Sequence, residues 1–143
     1  MSEELVFEPE VLRALEVLSD TAQQLKADMG DFLPFGVVVL KSGDVAIFTI
    51  KTNEEESESQ GFLNQLLDSL RKELTSGQYT HAGVCFDMNA TDEDGLRHDV
   101  FGLYVESSAK ATWFFIQPYF VTDKTLEVGE CIAREAPVLQ GLF

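Results

Sequence analysis

YTHAGVCFDM (Tyr79–Met88), DVFGLYVE (Asp99–Glu106) and ATWFFIQPYF (Ala111–Phe120) hold all three tyrosines of the chain and its only tryptophan. Runs of eight to ten residues this rich in β-branched and aromatic side chains predict strands. Ser107-Ser108-Ala109-Lys110 separates the second run from the third, a gap short enough to make them antiparallel neighbours. Asn89–His98, with Asp92-Glu93-Asp94-Gly95, separates the first from the second, and the three form a meander. In Ala111–Phe120 the two alternating sets are Trp113, Phe115, Gln117, Tyr119 and Thr112, Phe114, Ile116, Pro118. Both faces of that strand therefore carry large apolar groups, and each needs a cover, because a bare face exceeds the apolar patch a monomer normally exposes.

Upstream, Val11, Leu15, Leu18, Ala22, Leu25 and Met29 recur at spacings of four and three, with Leu12 widening the stripe. This predicts a helix from Pro9 to Met29, started by a proline that needs no N–H and stopped by Gly30. Phe35–Leu40 and Val45–Ile50 predict a hairpin turned at Gly43. Lys51–Gln60, with Glu54, Glu55, Glu56 and Glu58, reads as a solvated segment leading into a second helix, which carries Leu63, Leu66, Leu67, Leu70 and Leu74 and ends before Gly77. Val121–Phe143 reads as extended, with one strand and an irregular end.

The expected fold is one α+β domain over 1–143 in the order α-ββ-α-βββ, an antiparallel five-stranded sheet with both helices on one face and an extended C-terminal tail. A tail or a second molecule is then left to cover the other face. That face, with Trp113, Phe115, Tyr119 and Tyr104, is the expected binding surface, joined by the acidic loop Asp92, Glu93 and Asp94.

The chain has 143 residues, enough to bury roughly two thirds of its unfolded surface in one core. Its 25 acids against 10 Lys and Arg give a net charge of −15, which repels phosphate backbones and anionic lipid, so neither nucleic acid nor membrane is an expected partner. A basic protein partner fits that charge, although acidity also simply keeps proteins soluble. Met1-Ser2-Glu3-Glu4 has neither the basic start nor the apolar run of a signal peptide, and no apolar stretch is of membrane-spanning length, which predicts a cytoplasmic protein. Cys85 and Cys131 do not form a Cys-x-x-Cys pair and are expected to be reduced.

No phosphate loop, nucleophile elbow or zinc-protease motif is present, and no cofactor or metal is expected. Asp87, Asn89, Thr91 and Asp92 resemble a calcium loop but put Asp92 where glycine is needed and His98 where a bidentate glutamate is needed. His81 and Cys85 share a strand face but stand about 13 Å apart at their Cα atoms, too far for a thiolate–imidazole pair.

Gly36–Leu40, Ser42-Gly43-Asp44 and Val45–Ile50 resemble the first hairpin of roadblock and longin-type domains, whose element order is similar. That resemblance implies a non-enzymatic protein that dimerises through a sheet edge and a helix, and by analogy a strand order 2-1-5-4-3 with Val45–Ile50 at one edge. Those domains end in a helix where Val121–Phe143 reads as extended. Phe32-Leu33-Pro34-Phe35, Gly43, Val105-Glu106 and Gln117-Pro118-Tyr119 are also similar to a pattern in small acidic bacterial proteins, some of them immunity-like. The expected function is non-catalytic protein binding or scaffolding by a homodimer. The alternatives are an inhibitor neutralising a basic toxin or nuclease, and a small-molecule or enzymatic pocket between sheet and helices at His81 or Cys85.

Overall fold

The computed structural model describes residues 8–30, 32–50, 59–91, 93–122, 125–134 and 141–143. Helix α1 spans Pro9–Met29, with Pro9 in its first turn, and closes at Gly30, whose φ of 75° lets its N–H reach the Lys26 carbonyl. Its buried stripe is Val11, Ala14, Leu15, Leu18 and Ala22, whereas Leu12 points to solvent at 52% exposure and does not widen it. Strands β1 (Phe35–Leu40) and β2 (Val45–Phe48) form the hairpin, with Gly43 at φ 95°. Helix α2 covers Ser59–Leu74. The acidic segment expected before it falls largely on 51–58, outside the described residues.

The meander is longer than its apolar runs: β3 is Tyr79–Thr91, β4 Arg97–Ser107 and β5 Thr112–Thr122. The tail contributes two short strands, β6 (Thr125–Val128) and β7 (Ile132–Arg134), so among the described residues the sheet has seven strands and not five. Both tail strands lie on the outer side of β5, β6 against Tyr119–Thr122 and β7 against Phe114–Ile116. Pro118 explains the break between them, because it has no N–H to give a neighbour. Gly129 instead donates to the Pro118 carbonyl at 2.8 Å, and the Gln117 amide reaches back to the Gly129 carbonyl at 3.1 Å.

All pairings are antiparallel, in the order β2-β1-β3-β4-β5-β6. This corrects the order 2-1-5-4-3: β1 lies against β3, with Val38 opposite Ala82, and not against β5. β2 and β3 are both antiparallel to β1, hence parallel to each other, and α2 is the crossover that parallel strands require. A crossover has to pass over one face of the sheet.

That geometry overturns the placement of both helices on one face. Alpha-helix α1 packs on the odd-numbered face with Phe35, Val37, Val39, Cys85, Phe101, Leu103, Val105, Phe115 and Tyr119. Alpha-helix α2 packs on the even-numbered face with Val38, Ala82, Val84, Val100, Tyr104, Phe114 and Ile116, where Leu142 joins it. Each apolar face thus has its own helix. Gly83 marks the tightness of the sheet, since a Cβ there would stand 2.6 Å from the Tyr104 carbonyl oxygen and 3.2 Å from Leu18. Among the described residues no helix is long and apolar enough to cross a membrane.

Candidate functional site

The residues expected to form one binding surface are separated by the sheet. Trp113, Phe115 and Tyr119 face α1, while Tyr104 faces α2. Phe115, Tyr119 and Tyr104 are buried, and Trp113 is half-buried with its ring 6.2 Å from that of His81. Tyr119 stacks on Phe101 at 4.4 Å and donates to Asp87 Oδ1 at 2.6 Å. Lys26 sits 5.2 Å above its ring and 3.3 Å from Asp87 Oδ2, tying the end of α1 to the sheet. On the other face, the Tyr104 hydroxyl donates to buried Glu106 at 2.7 Å. In the acidic loop Glu93 and Asp94 are exposed, and Asp92 lies outside the described residues. Cys85 is fully buried, and its thiol is pushed well above its usual range by burial and then by Asp87, which leaves it no ready thiolate.

Two solvent-facing features among the described residues bear on binding. The first is the β2 edge. The Leu40 N–H to Asp44 carbonyl bond and the register Val38↔Ala46 set the alternation along the hairpin, so Val45 and Ile47 direct their backbone groups away from β1. Among the described residues no strand pairs with that outer side, and Ile47 is 53% exposed. At the end of β2, a groove of about 420 Å³ opens between Leu25 and Met29 of α1, Phe32–Phe35, Ile50, and Phe62 of α2. Its lining is almost wholly apolar, and Met29 and Leu33 are exposed there.

The second feature is a polar cleft of about 460 Å³ at the opposite end of the hairpin, where the start of α1, the β1–β2 turn, the start of β3 and the β4–β5 turn converge. Glu8, Glu10, Arg13, Lys41, Ser42, Thr80, His81, Ser107 and Ser108 are among its lining residues. His81, only 3% exposed, lies with Nε2 2.9 Å from Glu8 Oε2 and Nδ1 2.9 Å from Thr80 Oγ1. Arg13 donates to the Gly43 carbonyl at 2.8 Å. Polar groups converge around His81, whereas Cys85 is no part of the cleft. Glu8 and Glu10 were missed as partners of His81 because they stand more than 70 residues away along the chain. The one local signal is Glu8-Pro9-Glu10, two acids at a helix start.

Comparison with protein-family models finds none that matches, and comparison with curated proteins and with solved structures finds no similar protein.

Proposed function

We propose that this chain is a non-catalytic protein-binding module that takes an extended, basic segment of a partner protein onto the outer edge of β2. The observation that carries this is the β2 edge itself, with outward backbone groups at Val45 and Ile47 beside an apolar groove. Strand addition supplies affinity through main-chain hydrogen bonds and specificity through pockets for side chains. Two outward residues offer up to four hydrogen bonds, worth about 0.5–1.5 kcal/mol each. That total falls short of the roughly 8 kcal/mol of a micromolar complex, so the groove and the net charge must supply the rest. The charge of −15, with Glu54, Glu55, Glu56 and Glu58 following β2 closely in sequence, favours a basic segment and opposes a second acidic one. Neutralisation of a basic toxin or nuclease is one form this binding takes.

A homodimer is the competing occupant, because an antiparallel β2–β2 pair is self-complementary. An uncovered sheet face does not argue for it, because α1 and α2 cover both faces.

Calorimetry with a peptide of alternating Lys and Val, over a range of salt, tests the proposal. Binding is expected at low salt, weakening as salt rises, and lost in Ile47→Pro, which removes one outward N–H without touching the β1 ladder. Equal binding by Ile47→Pro, or none by the parent chain, overturns it. A parent dimer that Ile47→Pro dissolves, measured by light scattering, would instead assign the edge to a second copy.

A further inference from the structure

The geometry points to a divalent transition-metal site formed by Glu8, Glu10 and His81 at the base of the polar cleft, independent of the β2 edge. Each of the three offers one ligand atom, and those atoms all lie within 4.8 Å of one another. Metal bonds to imidazole nitrogen and carboxylate oxygen are about 2.0–2.2 Å long, so ligand atoms around one ion stand roughly 3–4 Å apart. The triangle must close by about an ångström, within the swing of the side chains of Glu8 and Glu10, which are respectively exposed and half-buried.

Three observations make this more than acids gathered at a helix start. His81 comes from β3, not from α1, and is buried with its Nε2 directed at the Glu8 carboxylate. Its other nitrogen is held 2.9 Å from the Thr80 hydroxyl, the kind of outer contact that fixes the ring orientation of a metal-bound histidine. Glu8 occupies the N-cap position of α1 yet makes no side-chain capping bond there, and its carboxylate turns to the histidine instead.

One imidazole with two carboxylates suits Zn²⁺, Co²⁺ or Mn²⁺. It lacks the six to eight oxygens that Ca²⁺ takes, and it lacks the sulfur that Cu⁺ prefers. Three protein ligands in an open cleft leave coordination positions for water or a ligand group. Lys41 and Arg13 line the same cleft and oppose a cation there, which sets the expected affinity in the micromolar range and not tighter.

The test is titration of the full chain with Zn²⁺ by calorimetry, and with Co²⁺ by visible absorption, both in millimolar Mg²⁺ to occupy the remaining acidic surface. One equivalent is expected to bind, with a nitrogen-ligated Co²⁺ spectrum and shifts of the His81 ring signals. Glu10→Gln and Glu8→Gln, both at solvent-accessible positions, should each weaken binding by tenfold or more while far-ultraviolet circular dichroism stays unchanged. His98→Asn should leave binding intact. No binding up to millimolar Zn²⁺, or binding undiminished in both glutamine variants, overturns the site.

Discussion

Glu106 accepts the hydroxyl of Tyr104, two residues before it on β4, at 2.7 Å through one carboxylate oxygen, and the backbone N–H groups of Leu142 and Phe143 at 2.9 and 3.0 Å through the other. A carboxylate 2% exposed thus fastens the last residues onto the α2 face, where Arg71 also donates to the Gly141 carbonyl. An amide has one acceptor oxygen, so Glu106→Gln must leave either the phenol or the two N–H groups facing a donor. The variant should lose about 1–3 kcal/mol in urea unfolding. Hydrogen exchange at Leu142 and Phe143 should accelerate well beyond that of the β3 and β4 amides.

The same pair makes stability sensitive to alkali. Burial, then the hydrogen bond to Glu106, raise the Tyr104 hydroxyl well above its ordinary value of 10.0. The folded chain keeps a proton that the unfolded chain gives up, so this contribution is complete below pH 10.0 and is lost progressively as pH rises above it. Tyr104→Phe should be less stable than the parent by about 1 kcal/mol at neutral pH. The gap should narrow in urea titrations run at rising pH above 10.0. A gap that stays constant would remove Tyr104 as the source.

Gly83 and Gly102 should respond unequally to a methyl group. At Gly83 the nearest atom to an added Cβ is the Tyr104 carbonyl oxygen at 2.6 Å, part of the neighbouring strand's backbone. At Gly102 the obstacle is the ring of Phe86 at 2.6 Å, the end of a half-buried side chain that can turn aside. Thermal unfolding should show Gly83→Ala losing about 3 kcal/mol and Gly102→Ala about 1 kcal/mol.

Phe101→Ala should cost about 3–5 kcal/mol, as expected of a fully buried ring. Phe101 contacts both Tyr119 and Phe32, with ring centroids at 4.4 and 5.7 Å. Trp113→Ala, half-buried at the margin of the same cluster, should cost about 2 kcal/mol, and the mass of the folded chain in light scattering should not change.

The elements of this fold were legible because their signals are local. Pro9 and Gly30 bracket α1, and Gly43 and Gly77 take the positive φ that ends a strand or a helix. The disposition of the helices was not legible from their stripes, which say that a helix has a buried face and not which layer it meets. The strands held that information: Val37-Val38-Val39 is apolar on every residue, the pattern of a strand covered on both sides. Strand order depends on pairings such as Val38 with Ala82, set by long-range packing and by the crossover of α2. The His81 cleft is hidden for the same reason, since Glu8 and His81 meet only once α1 has docked on β3.

The split between β6 and β7 at Pro118 and Gly129 has a consequence for assembly. A strand interrupted after four residues and resumed for three is a poor template, so the β5 side of the sheet resists further addition. Among the described residues the β2 side has no such break between Val45 and Phe48. A unit joinable on one side only can form a pair, but it cannot grow into a filament, so concentrated solutions should stop at a finite size.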